Sequence, residues 1–221
     1  EAEGADYAYG AIEAGVAHRR ALMTGGKTGL SYGATVGHNG NGGADLSDFV
    51  QVELGLDHKL GDGSSLTFGV SGDHVARIDR PIQSSDRTEV RIGYGRTLAK
   101  GIGAGDRLAL SLRASQTRSD SAEVANAAVG FSFGWTKAKP VANVTVAAGL
   151  DVDARSFADS RYVAGGRDDL RVTARLSMTF QNIDYMGFSP VLDLRATRNQ
   201  SNAALFDTQD VGISLGIRSS F

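Results

Sequence analysis

Apolar and polar residues alternate through segment after segment of this chain, and one parity of that alternation is free of charge. The C-terminal stretch is the cleanest case. Val211, Ile213, Leu215 and Ile217 alternate with Gly212, Ser214, Gly216 and Arg218, and the sequence ends on Phe221. A period of two sends successive side chains to opposite faces of a strand. The same parity carries Val50, Val52, Leu54, Leu56; Leu66, Phe68, Val70; Val90, Ile92, Tyr94; and Leu108, Leu110, Leu112. It continues through Val129, Phe131, Phe133, Trp135; Val144, Val146, Ala148, Leu150, Val152; and Leu170, Val172, Ala174, Leu176, Met178, Phe180. None of these positions is Asp, Glu, Lys or Arg, and charge reaches this parity only at segment ends, as at Asp48, Arg96 and Arg118. The opposite parity carries Glu53, Asp73, Glu89, Arg91, Arg107, Arg113, Asp151, Asp153, Arg171, Arg175, Asp193, Arg195 and Arg218. A charge at the lipid midplane costs about 2–4 kcal/mol, so contact with lipid would produce this exclusion.

Eleven strand-like segments are expected, at 6–21, 30–38, 48–60, 65–77, 87–98, 106–118, 125–137, 141–155, 169–181, 188–198 and 208–221. Gly, Asp, Asn and Ser separate them. No stretch sustains a 3.6-residue apolar stripe, so no helical domain is expected. The 29 glycines and 3 prolines suit strands and tight turns, and the absence of cysteine excludes disulfides and thiol chemistry. A net charge of −2 points away from nucleic acid. No apolar run approaches the roughly 18 residues of a transmembrane helix, but a barrel hides its apolar surface in every second residue. The pattern therefore predicts an all-β fold, a transmembrane antiparallel outer-membrane β-barrel. A soluble sandwich or solenoid also has one apolar face, but predicts shorter strands of about 5–6 residues. It also leaves the mid-strand charges of the polar face unexplained.

Link lengths suggest an orientation. Short links at 61–64, 99–105, 137–140 and 182–187 alternate with longer polar ones at 39–47, 78–86, 156–168 and 199–207. Short periplasmic turns and long outer loops would place Tyr32, Phe68, Tyr94, Trp135, Phe180, Phe188 and Phe221 in one periplasmic-rim belt. The closing strand ending at Phe221 is then the expected handle for the barrel assembly machinery. An odd strand count ending in the periplasm starts the chain outside the cell, which is unusual for single-chain barrels. Upstream strands are accordingly expected.

Three local patterns in the last third carry a resemblance. Gly165-Gly166-Arg167-Asp168-Asp169 opens a strand, and Tyr185-Met186-Gly187-Phe188-Ser189-Pro190 turns into the next. Arg198-Asn199-Gln200-Ser201-Asn202 then starts the final loop. In order and spacing this resembles the C-terminal barrel of the surface lipoprotein assembly modifier (Slam) family, over about 60 residues. The resemblance implies a roughly fourteen-stranded barrel behind a periplasmic tetratricopeptide domain, and a role in moving client lipoproteins or secreted proteins across the outer membrane. The chain lacks the repeat domain and some of the strands, as a C-terminal piece would.

Chemistry is sparse. His18, His38, His58 and His74 fall in no metal-ligand spacing, and none has a serine placed as a nucleophile. Gly25-Gly26 and the Asn39–Gly43 run precede no helix, so no phosphate loop is expected. No enzyme activity, metal or cofactor is expected. The candidate lumen-lining residues are Glu53, Glu89, Arg91, Arg113, Asp151, Asp153, Arg171, Arg175, Asp193 and Arg195. They either line a selective channel or neutralise one another, with interior glycines such as Gly33, Gly55 and Gly130 leaving room. Assisted display or secretion of a client is the expected function, and a passive porin or substrate-specific channel is the alternative.

Overall fold

The computed structural model describes residues 9–22, 26–41, 44–99, 103–181, 183 and 188–219. Those residues form eleven strands: β1 Tyr9–Ala21, β2 Thr28–Asn41, β3 Ala44–Lys59, β4 Ser64–Arg77, β5 Ser85–Thr97 and β6 Arg107–Ser119. They continue with β7 Asn126–Thr136, β8 Val144–Phe157, β9 Arg167–Phe180, β10 Phe188–Ser201 and β11 Thr208–Ser219. Every strand pairs antiparallel with its sequence neighbours in one sheet, ordered β1 to β11. Among the described residues the sheet is not closed: β1 pairs with β2 alone and β11 with β10 alone. Phe221 and the Tyr185-Met186-Gly187 turn lie outside the described residues.

Each expected segment overlaps one strand, because the alternation runs through its middle; residues 6–8 and 220–221 of the first and last segments lie outside the described residues. The prolines leave strand interiors intact: Pro81 sits in a 3-10 turn, Pro140 in a link, and Pro190 third in β10.

Burial runs opposite to that of a two-sheet sandwich. Leu112 is 62% exposed, Val129 60% and Leu110 40%, and Leu176 is only half-buried. Among the described residues no second sheet covers this apolar face. On the two edge strands Leu215 reaches 81% and Ile12 78%. The enclosed side is the polar one, where Glu89, Thr173, Thr179 and Asn199 are buried. Among the described residues the buried apolar side chains are Phe157, Val191 and Ala203.

The register is staggered. One row of partners runs Tyr32, Leu54, Val70, Val90, Ala114, Val129, Ala154, Leu170 and Gln200. Tyr32 lies four residues from the Thr28 end of β2, whereas Gln200 lies twelve from the Phe188 end of β10, which faces the same way. The row climbs eight residues in eight strand steps. With roughly 3.3 Å of rise per residue and about 4.8 Å between strands, the strands tilt by about 35° from the axis on which their ends align. Closing a sheet into a barrel needs a tilt of this size.

Two expectations about links need correction. The 39–47 link is almost entirely strand, because β2 runs to Asn41 and β3 begins at Ala44. Side chains extend the pairing there: His38 bonds Asp48 at 2.8 Å and Asp45 at 3.1 Å, and Asn39 donates to Ser47 at 3.1 Å. A register shift between Asn39 and Gly40 absorbs the extra residue. The C-terminal ends of β1, β3, β5, β7 and β9 share one end of the sheet, and those of β2, β4, β6, β8 and β10 share the other; the sequence intervals between strands are 6, 4, 9, 7 and 7 residues at the first and 2, 7, 6, 9 and 6 at the second. Neither end is uniformly short, so length does not orient the sheet.

The expected strand at 141–155 instead begins at Val144, because Val141 to Val144 form a tight turn. Val141 and Val144 exchange backbone bonds of 2.9 and 3.0 Å around Ala142 and Asn143, whose φ values are +51° and +63°. Left-handed backbone at both central residues is the turn that matches strand twist, and it favours Asn-Gly. Alanine at the first position carries a penalty of about 1–2 kcal/mol. Ala142→Asn should therefore raise the thermal unfolding midpoint, by about 1 kcal/mol in stability, and Ala142→Val should lower it.

Candidate functional site

The charged residues of the polar face are held mostly by one another. Glu89 on β5 accepts from Arg91 at 2.6 Å and from Arg87 on its other side. Positions two apart on a strand share a face, so one buried carboxylate meets two guanidinium groups. Arg113 on β6 pairs with Asp153 on β8 across the intervening strand. Gly130 of β7 is the register partner of both. A Cβ at Gly130 would lie 2.6 Å from Arg113 Nε and 2.9 Å from Asp153 Oδ1, so the pair occupies the space a side chain would take. Asp151 accepts from Ser132 Oγ at 2.7 Å and pairs with Arg175 at 2.8 Å.

Six of the ten expected lining residues are thus gathered into ion pairs: Glu89, Arg91, Arg113, Asp151, Asp153 and Arg175. Glu53 lies over Gly33, with its Oε1 3.0 Å from where a Cβ would be. Arg195 donates to Thr197 at 3.3 Å. Arg171 and Asp193 make no ion pair among the described residues. Sequence parity placed all ten on one face but gave no guide to their partners, and Arg87, which completes the clamp on Glu89, was missed.

One end of the sheet gathers six aromatics of the apolar face. Tyr32, Phe68, Tyr94, Trp135, Phe180 and Phe188 lie at, or within four residues of, the strand ends there. Trp135 is fixed in place: its Nε1 donates to Asp106 Oδ2 at 3.0 Å, and Ala138 N donates to Asp106 Oδ1 at 3.0 Å. The backbone N–H of Ala138 chiefly, with Trp135 and Lys137, holds the Asp106 carboxyl below the ordinary carboxylate range against the effect of its burial.

At the opposite end a small core ties three links together. The Arg167 guanidinium sits between two rings, 3.6 Å from the Phe157 centroid and 3.8 Å from that of Phe206. It pairs with Glu123 at 3.0 Å and with Asp169 at 3.3 Å. Tyr162 packs edge-on against Phe206 at 5.3 Å. Asn202 bridges two links, its amide donating to Gly166 O at 3.2 Å and its oxygen accepting from Asp168 N at 3.0 Å. Asn199 donates to Phe206 O at 2.6 Å. Gly166, with φ of +94°, has no room for a Cβ, which would stand 2.5 Å from Phe157 O. The Gly-Gly-Arg-Asp-Asp and Arg-Asn-Gln-Ser-Asn patterns therefore meet in space, and their partnership is structural. Glu123 carried no signal in the sequence; Phe157 and Phe206, as aromatics at segment ends, carried a weak one.

The histidines find local partners. His18 rests against Tyr32 at 5.3 Å, His58 bonds Thr28 at 2.8 Å and His74 bonds Asp86 at 2.8 Å. No group of three or more metal-ligating side chains converges among the described residues. No family model and no curated protein matches the chain.

Arg167→Met should cost about 3–5 kcal/mol in equilibrium unfolding, because it strands the Glu123 carboxylate without its main partner. Pairing the change with Glu123→Gln should recover part of that loss. A single-variant cost under about 1 kcal/mol would mark the pair as solvated rather than buried.

Proposed function

We propose that this chain is part of an outer-membrane β-barrel that assists the surface display or secretion of client lipoproteins or soluble proteins. One observation carries the membrane half of the reading: the exposed face is apolar through the middle of every strand, while the enclosed face holds paired charges. Lipid is the solvent in which that arrangement is favourable. The tilt of about 35° supports it, lying within the range of membrane barrels. In a bilayer the open edges of β1 and β11 must be paired, since an unpaired backbone group in lipid costs several kcal/mol. A barrel of about fourteen strands, as the Slam resemblance implies, would meet that need. The aromatic end is a proposed membrane rim, where amphipathic rings sit between lipid and water.

The client half of the reading rests on the Slam-like motifs, two of which pack together around Arg167. That locked cluster suits an outer face exposed to the medium. The passive-channel reading draws on the polar face, whose charges can select among small solutes.

Two experiments separate these claims. Leu112→Arg should block barrel assembly, losing heat-modifiable migration on gels, whereas Thr145→Arg on the polar face should assemble; the expected difference is about 2–4 kcal/mol. Equal defects at both positions would remove the membrane assignment. Deleting the gene should leave a surface or secreted client in the periplasm with small-solute uptake unchanged. Unchanged client export with reduced solute uptake would favour the channel.

A further inference from the structure

We infer that the polar face carries a binding site for a small phosphate-type oxyanion, centred on Arg155. A hollow of about 360 Å³ opens there between β3 and β8. That volume lies at the lower end of the roughly 300–1,000 Å³ typical of small-ligand pockets. Arg87, Arg91, Arg113 and Arg155 line it, against Asp73, Glu89 and Asp153. The carboxylates are already committed in part. Glu89 is shared by Arg87 and Arg91, and Asp153 belongs to Arg113. Asp169, the register partner of Arg155 on β9, is bound by Arg167.

Arg155 is half-buried, and makes no hydrogen bond or ion pair with any described residue. Its charged neighbours include Arg87 and Arg171 as well as Asp153 and Asp169. Four guanidinium groups against three carboxylates leave the hollow with one net positive charge. Most of its exposed lining is polar, and hydroxyl and amide groups of Ser71, Ser115, Thr117 and Asn126 complete it. A guanidinium presents a planar fork of donors that matches the oxygens of phosphate two at a time. An oxyanion on Arg155 would supply the missing partner and relieve repulsion from Arg87 and Arg171. The apolar face offers no comparable charge, so the ligand is a solute of the aqueous side and not a lipid tail. The site belongs to the polar face whatever client crosses the membrane, so its failure would leave the transport reading standing.

The test uses the purified protein in detergent and measures the rate at which phenylglyoxal, an arginine reagent, modifies individual residues. Inorganic phosphate should slow modification of Arg155 saturably, at least fivefold, and leave the loop residue Arg80 unaffected. Chloride at equal ionic strength should not protect. A parallel arm with glycerol 3-phosphate identifies the source: stronger protection than by phosphate assigns the site to phosphomonoesters, and weaker protection assigns it to the free anion. Arg155→Gln should lower phosphate binding by calorimetry at least tenfold, while Arg80→Gln should not change it. Equal protection by chloride and phosphate, or retained phosphate affinity in a folded Arg155→Gln protein, would overturn the inference. If that variant does not fold, the protection assay on the unaltered protein decides alone.

Discussion

An apolar face that no second layer covers is the constraint on which the rest of this structure depends. Soluble monomers rarely expose contiguous apolar patches beyond a few hundred Å². Here the apolar parity of all eleven strands forms one surface, and its edge residues are more than two-thirds exposed. Water penalises such a face in proportion to its area, by about 25 cal/mol per Å². The bilayer we propose as its surroundings removes that penalty and adds a demand, that every backbone group find a partner within the protein. Ten consecutive antiparallel pairings meet the demand everywhere except at the outer edges of β1 and β11.

The polar face answers a different problem, the enclosure of charge. Long arginine side chains are accommodated by omitting neighbours, as where Gly130 lies beneath Arg113 and Asp153. Glycine weakens a strand interior, and that loss is offset where the space it leaves holds an ion pair. The network leaves Arg155 without an ion pair, and four arginines against three carboxylates give the hollow its excess positive charge. At the sheet end opposite Trp135 and its neighbours, the cluster around Arg167 plays the part of a hydrophobic core on a small scale, with two rings packed on a guanidinium and carboxylates at its edge.

The sheet was legible in the sequence because its side-chain period is strictly two, and a one-residue slip would have thrown a charge such as Arg91 onto the apolar face. The same parity placed Glu89 and Asp153 correctly on the polar face. It could not say that Arg113 pairs across β7, because partners two strands apart are set by stagger, which no local pattern encodes. The link at 39–47 misled for a related reason. Its Gly and Asn residues read as a loop, yet the contacts of His38 with Asp48 and Asn39 with Ser47 continue the hairpin. At 141–143, Val141 read as strand by propensity, whereas the left-handed pair after it makes a turn.

The central claim is that alternate residues of each strand face lipid and water. The sequence contains no cysteine, so single cysteines introduced along Arg107–Ser119 accept nitroxide labels at unique positions. In lipid vesicles, collision with dissolved oxygen and with a water-soluble nickel chelate should oscillate with a period of two and opposite phase. Positions 108, 110 and 112 should favour oxygen, and 109, 111 and 113 should favour the chelate. Uniform chelate accessibility at both parities, or protection of the even positions from both reagents as in a packed core, would contradict the account.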